Sequence, residues 1–401
     1  MSQNHPTQGI QETKVTLPIR QMKKAIVTVL FILLVLLILR IKFLFVGINL
    51  SLPENTGSQP PACQVASVDK LAEGDTPDIS KDDTLIAYYK KVNSIFELFV
   101  MYSDVTNQHC ITCDNSIPKE MVGKNKGKAT FYADSRYLLA GVENEYGKNT
   151  LANQPGVGDD YDFWLIDLQT NTFTRLTNNP KGFALQYPRF SPDGKKLIWS
   201  ERYKKGGIGN YLVGKGEFGW WRIKIADFSL TATGPRLDNI EELEPAGKGF
   251  YEPHGVSPDG SKLIFSGAVT SGKTQIYSDI YVYDLNNRKL SKLTSARNIH
   301  HEQALYSPSG NKISYMSGPF VGLSDFGYKA DLYLMDENGD NRTRLTYFND
   351  PEHASYPGQT SQIDKDTWFS DGTAIVFGLY IHKINKFYIY KLTFNDSCGK
   401  L

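Results

Sequence analysis

The sequence predicts an all-β fold, a six-bladed β-propeller, preceded by a single N-terminal transmembrane helix. Three observations predict it. A strand–turn–strand pattern built around Ser-Pro-Asp-Gly recurs along the chain, the composition is rich in aromatics with glycine and proline turns, and one long apolar run lies near the N-terminus. The 401 residues carry 44 Lys+Arg against 43 Asp+Glu, so bulk charge holds no nucleic acid partner. Apolar residues at 40% and charged residues at 22% fit a packed core. The 23 Tyr and 21 Phe, set among 34 Gly and 19 Pro, are a β-rich signature.

Residues 25–39 (AIVTVLFILLVLLIL) run without a charge; Arg40 and Lys42 interrupt, and FLFVGI (43–48) resumes. A spanning helix needs roughly 20 apolar residues, and two terminal cations can snorkel, so 25–48 reads as a span. No small-x-small site follows the run, which favours a signal-anchor over a cleaved signal peptide. Cys63 follows a poor lipobox. Lys14, Arg20, Lys23 and Lys24 precede the span, against Arg40 and Lys42 within its far end, which places the N-terminus in the cytoplasm and the bulk outside, periplasmic or extracellular. The expected organisation is therefore a cytoplasmic segment (1–24), a transmembrane helix (25–48), a Pro-rich linker (49–62) and a propeller (63–401).

The clearest copies of the repeat are RFSPDGKKLIWS (189–200), GVSPDGSKLIFS (255–266) and LYSPSGNKISYM (305–316). Weaker ones are DISKDDTLIAYY (78–89), FYADSRYLLAGV (131–142) and WFSDGTAIVFGL (368–379). A second strand follows each, as in DIYVYDL (279–285), and a third follows four of them, as in TFTRLT (172–177) and KLSKLT (289–294). Proline presets φ, aspartate caps the turn and glycine takes positive φ. One such sheet cannot bury both faces alone, and radial stacking of six buries each against its neighbours.

This SPDG repeat with its following IYxxDL…LT segment resembles the propeller repeats of the TolB family over about residues 75–394. The resemblance implies the propeller fold and an envelope protein. TolB proteins carry an α/β domain before the propeller; here residues 51–75 separate span and first blade.

The last unit supplies three strands, ending in KFYIYKLTFN (386–395), while QVASVDKL (64–71) precedes the first. We expect 64–71 to provide the missing outer strand and close the ring. Cys63 and Cys398 would then meet at the seam. A bridge there would close a loop of more than 300 residues, worth on the order of 5 kcal/mol in the chain-entropy treatment, and would need an oxidising compartment. Cys110 and Cys113 lie in HCITCD, which reads as a structural disulfide in the third link of blade 1, or as a redox dithiol. Asp114 in place of histidine excludes haem attachment.

Long second-to-third-strand links (143–161, 201–219, 267–279 and 317–330) gather on one face, where propeller ligands are expected. Polar residues just before the inner strands are assigned to that face as ligand-binding candidates at the channel mouth: Gln186, Tyr187, Glu252, His254, His301, Glu302 and His353, with His300 and Gln303 beside them. His and carboxylate together suit a divalent metal, which would be the only cofactor. The cluster faintly resembles the metal site of a propeller-fold lyase. No G-x-S-x-G elbow is present, and the Gly-rich stretch 206–219 lacks a phosphate-loop ending. The expected function is a membrane-anchored, exported propeller that binds a protein or polymer in the envelope. The alternative is a metal-assisted lyase or hydrolase acting on an extracellular saccharide.

Overall fold

The structure is a computed structural model that describes residues 64–114, 116–206, 218–269, 274–322, 327–395 and 401. The expected transmembrane span, the linker, Cys63, Cys398 and residues 207–217 lie outside the described residues.

The described chain forms six four-stranded antiparallel sheets. It enters through β1 (Val65–Glu73), which belongs to the last blade. Blade 1 then runs β2 (Asp75–Ile79), β3 (Leu85–Val92), β4 (Ile95–Tyr102) and β5 (His109–Cys110). Blade 2 is β6 (Lys126–Phe131), β7 (Tyr137–Glu143), β8 (Tyr161–Asp167) and β9 (Thr172–Arg175). Blade 3 is β10 (Ala184–Phe190), β11 (Lys196–Lys204), β12 (Trp220–Thr231) and β13 (Gly234–Leu243). Blade 4 is β14 (Tyr251–Val256), β15 (Lys262–Gly267), β16 (Asp279–Asp284) and β17 (Leu290–Lys292). Blade 5 is β18 (Ile299–Tyr306), β19 (Lys312–Pro319), β20 (Asp331–Asp336) and β21 (Thr343–Arg344). Blade 6 is β22 (Ser361–Trp368), β23 (Ala374–Ile381) and β24 (Lys386–Phe394). β1 completes it by pairing antiparallel with β24, Val68 opposite Leu392 and Val65 opposite Phe394. The earliest described segment thus closes the ring, as the repeat pattern requires.

The turn chemistry explains both the strong and the weak copies. In blade 3, Asp193 accepts from Ser191 Oγ at 2.6 Å and from Lys195 N at 3.0 Å, while Gly194 takes φ of 72°. Gly260, Gly310 and Gly372 repeat that geometry. Blades 1 and 2 place Asp83 and Ser135 at the same left-handed position, each with φ of 61°. These are strained choices for side-chain-bearing residues, tolerated because aspartate is among the few that adopt αL routinely and because each turn is tied to its neighbour. Asp83 Oδ2 accepts from Ser370 Oγ at 2.6 Å, and Ser135 Oγ accepts from Asp82 N at 3.3 Å.

The trailing Arg/Lys-Leu-Thr motif has a partner in the third strand. Asp162 accepts from Arg175 at 2.6 Å and from Thr177 Oγ1 at 2.9 Å; Asp331 accepts from Arg344 at 2.8 Å and Thr346 Oγ1 at 2.9 Å. Asp279 pairs with Lys292 at 2.7 Å. The motif is therefore a clip fixing the outer strand to the start of the third. Between blades the sheets bury aromatic and branched side chains against each other, and the seam is no exception. Ile86, Tyr88 and Met101 of blade 1 pack with Val376 and Ile389 of blade 6.

The disulfide expectation holds for one pair: Cys110 and Cys113 are bonded. Its place differs from the expectation. Cys110 does not sit in a link but pairs with Phe99 as half of the two-residue outer strand. Blade 1 has no longer strand to use, because the next residues are drawn inward, Thr112 Oγ1 donating to Glu97 and accepting from Leu98 N.

Candidate functional site

The inner strands carry a feature that the repeat pattern did not announce. In each blade the inner strand has one residue more than its neighbour at a matching point, between Asp75 and Asp78, Gly127 and Thr130, Gln186 and Arg189, Pro253 and Gly255, Glu302 and Leu305, and Asp364 and Asp366. A bulge bends a strand and re-aims its side chains. Four of the six place a non-glycine residue at positive φ there: Thr76 at 41°, Lys128 at 50°, Tyr187 at 52° and Gln303 at 56°. A sequence signal did exist. Pro77, Pro188 and Pro253 stand inside inner strands, and proline in a sheet is confined to edges and bulges. The bulges turn polar residues from six strands toward the axis.

The result is a charged plug. Asp78 accepts from Arg189 Nη1 at 2.7 Å, Lys365 Nζ lies 2.9 Å from it, and Phe131 N donates at 2.8 Å. Lys365 also donates to Ala129 O at 2.6 Å, and Arg189 to Asp366 O at 3.1 Å. One carboxylate thereby ties blades 1, 2, 3 and 6. Nearer the loop-bearing face, Lys128 Nζ lies 3.7 Å from Asp364 and 4.7 Å above the Tyr187 ring, while Gln303 Nε2 donates to the Tyr187 hydroxyl at 3.3 Å.

The electrostatics follow from burial. Desolvation, with repulsion from Arg189, lowers Lys365 to about 7 despite its contact with Asp78. Desolvation also raises Asp366 to about 6, and desolvation with repulsion from Asp364 raises Asp75 to about 8. Asp78 is the opposite case: burial would raise it, but Lys365 and Arg189 together hold it below the ordinary range. Glu252 and Glu302 face each other across blades 4 and 5. Desolvation and the neighbouring carboxylate push Glu252 well up. Glu302 stays low although burial works against it, because His300 and the Glu252 carboxyl stabilise its charge.

The structure places the sequence-predicted residues inside strands, not in the links that precede them. Gln186 and Tyr187 lie in β10, Glu252 and His254 in β14, and His301 and Glu302 in β18. It brings Tyr187 against His254, ring centroids 5.5 Å apart, and Glu252 against Glu302. His353 is elsewhere. It is exposed in the link before β22, stacked on Tyr347 with Nδ1 2.8 Å from Ser355 Oγ. Sequence reasoning missed Asp78, Lys128, Arg189 and Lys365, which do most of the pairing.

The histidines do not converge as a metal set. His254 Nε2 is 2.8 Å from Ser266 Oγ, and His300 Nδ1 is 3.0 Å from Ile276 O. Among the described residues, no group of three or more His, Cys, Asp or Glu side chains is placed to hold a metal ion. The geometry therefore weighs against the metal-assisted alternative.

Below the plug, on the face of the short turns, a cavity of about 420 Å³ opens; Asp78, Arg189 and His254 line its floor. On the opposite face lie the long links. Among the described residues, six of the nine exposed large hydrophobics stand in links of that face: Val122, Tyr146, Leu151, Val157, Phe218 and Ile384.

No known protein-family profile matches the chain. Among solved structures, TolB from Acinetobacter baumannii matches with a TM-score of 0.50 at 17% identity, over 78% of this chain and 64% of that one. An oligogalacturonate lyase in complex with manganese matches with a TM-score of 0.48 at 13% identity, over 83% and 96%. An oligogalacturonate lyase from Vibrio parahaemolyticus gives 0.49 at 10% identity, over 82% and 92%. This chain thus spans a little under two thirds of that TolB's length. Likeness at these identities shows the β-propeller fold alone.

Proposed function

We propose that this chain is an exported, membrane-anchored β-propeller that works as a binding module for a protein or polymer in the cell envelope, meeting that ligand on the face of the long links. One observation carries the reading: four exposed apolar side chains, Val122, Tyr146, Leu151 and Val157, stand in two links of that face that are tied together, Asn149 Nδ2 donating to Gly123 O at 3.0 Å and Lys124 Nζ to Gly147 O at 2.9 Å. Scattered surface hydrophobics need no explanation, but apolar side chains on adjoining links support an interaction surface. Leu151 is 78% exposed, yet its link is held rigidly from beneath. Buried Glu143 accepts from Asn125 N at 3.1 Å, Asn125 Nδ2 at 2.9 Å and Asn149 N at 2.8 Å, and the Tyr161 hydroxyl donates to Asn153 O at 2.8 Å. A pre-ordered link that displays an apolar tip loses little entropy on binding.

Anchoring and export rest on the apolar run 25–48 and its flanking cations. The plug supports binding over turnover, since its charged groups are spent on one another.

The test places a photo-crosslinking side chain at Leu151 and, as control, at Leu230 on the far face, in intact cells. A discrete envelope partner captured from Leu151 and absent from Leu230 is expected, and the Leu151→Asp chain should fail to co-purify with it. Equal capture from both positions, or capture of cytosolic proteins alone, rejects the reading. Carbonate extraction checks the anchor: the full chain should stay with the membrane pellet.

A further inference from the structure

Three links around blade 2 meet on the long-link face: 116–125 before β6, 144–160 between β7 and β8, and 176–183 before β10. The first two are tied through Gly123 and Gly147. The third joins them where Asp160 N donates to Phe183 O at 2.8 Å and Leu185 N to Gly158 O at 3.2 Å. The apolar tips Val122, Tyr146, Leu151 and Val157 share this surface with cations that have no carboxylate to meet. Lys124 spends its ammonium on a carbonyl, Gly147 O. Lys148 and Lys181 are exposed, and among the described residues neither side chain has a hydrogen-bond or ion-pair partner.

The carboxylates of the same links are already answered or turned away. Glu145 lies 3.0 Å from Arg175 Nη2. Asp159 is buried and pairs with both Arg202 and Lys205, the latter at 2.9 Å. Asp160 is buried and accepts from Gly182 N at 2.5 Å. Lys119 and Glu120 are adjacent and offset each other. Asp114 is held on Ser116, which meets Asn171 of the β8–β9 turn at the opposite face. Lys124, Lys148 and Lys181 are therefore left unanswered around the apolar tips.

We propose that the partner met by this surface is an acidic polypeptide, whose Asp and Glu side chains face Lys124, Lys148 and Lys181 around an apolar recess that takes Leu151. Complementary charge steers such an encounter and fixes its register, while burial of the leucine supplies contact that salt does not screen. Other anions fit less well. A polyanionic saccharide matches the lysines but offers Leu151 no apolar recess. A lipid surface needs deep insertion, since even a whole acyl chain holds a membrane only marginally. Here only Leu151 projects, the other three tips being between 38% and 51% exposed. The partner class deepens the loop-face reading and rests on it.

The experiment combines the photo-crosslinking side chain at Leu151 of the full chain, in intact cells, with three backgrounds: unchanged, Lys148→Arg with Lys181→Arg, and Lys148→Glu with Lys181→Glu. The adduct is digested and the captured segment sequenced by mass spectrometry. That segment should carry more Asp and Glu than Lys and Arg. The Arg pair should keep capture, and the Glu pair should lower it about tenfold or more while leaving the thermal midpoint of the purified chain in place, since neither lysine side chain holds a contact within the fold. A neutral or basic segment, equal capture by the Glu pair, or equal loss from the Arg and Glu pairs overturns the acidic partner and leaves the loop-face reading standing. No capture from Leu151 in any background, or a lipid adduct alone, removes both.

Discussion

A buried polar residue in this ring reports on packing first and chemistry second, and His254 shows both. Its ring is 2% exposed, set against Tyr187 and hydrogen-bonded to Ser266. Desolvation lowers it to about 3 from 6.5, with Arg189, Lys128 and His300 adding repulsion and only Glu302 acting the other way. The unfolded chain therefore binds a proton that the folded chain refuses between those values. Stability from this residue is complete above about pH 6.5 and drains away as pH falls toward 3. Asp75 and Glu252 carry the opposite sign, since both hold protons in the folded state more tightly than when unfolded. The clean readout is a difference between proteins. We predict that His254→Gln, which can keep the Ser266 contact, loses about 3 kcal/mol less than wild type between pH 6.5 and about pH 4. Urea titrations at the two pH values measure it, and parallel losses in both proteins would refute the assignment. The sequence disclosed that His254, Glu252 and Glu302 were near the axis. It did not disclose their state, because that depends on partners from other strands, such as Ser266 of β15 and Lys128 at the β6 bulge.

At the scale of the element, legibility tracked how local the determinant is. Turns built by Asp193–Gly194 were readable because four consecutive residues carry all the chemistry. Strand β1 was readable because a three-strand remainder demands a fourth. The inner-strand bulges were not read, since a break in alternation within a short strand looks like any polar interruption, although Pro77, Pro188 and Pro253 marked three of them. The cysteine element was half legible: the bond was foreseen, its role as an outer strand was not. That role sets its energetic value. A bond between residues three apart closes a very small loop, so the chain-entropy contribution is only about 2 kcal/mol. We predict that Cys113→Ser lowers stability by no more than about 2 kcal/mol and acts locally. Hydrogen exchange should quicken at β5 and at Thr112 while Tyr88 and Met101 keep their protection. A global collapse of protection would show that the bond holds the whole blade.

The molecule as a whole is a closed circle whose stability depends on where its chain is joined. The outer strands β5, β9, β17 and β21 have between two and four residues, while β13 has ten and β1 has nine. All but β1 are joined to the preceding strand by the chain itself; β1 has no covalent link to β24 within the described residues and must hold by backbone pairing and side-chain burial alone. Val65 and Val68 pack against the cluster shared by blades 5 and 6, and Leu71 and Ala72 against that shared by blades 6 and 1. Four half-buried apolar side chains at this seam amount to roughly 3 to 4 kcal/mol. Their loss would also bare the full length of β24 as an unpaired edge, a template for association with another copy. Gly74 then turns the chain inward, in a space where any side chain would collide with Tyr88 at 2.4 Å, so β1 cannot shift its register without dislodging β2. We therefore predict that a chain beginning at Gly74 unfolds at lower denaturant and self-associates, as measured by urea titration and light scattering. A synthetic peptide of residues 64–73 added in trans should restore monomers, whereas the same peptide carrying Val68→Asp should not. If the shortened chain stays monomeric and equally stable, the ring is held by its other five interfaces, and the seam strand is only a cover.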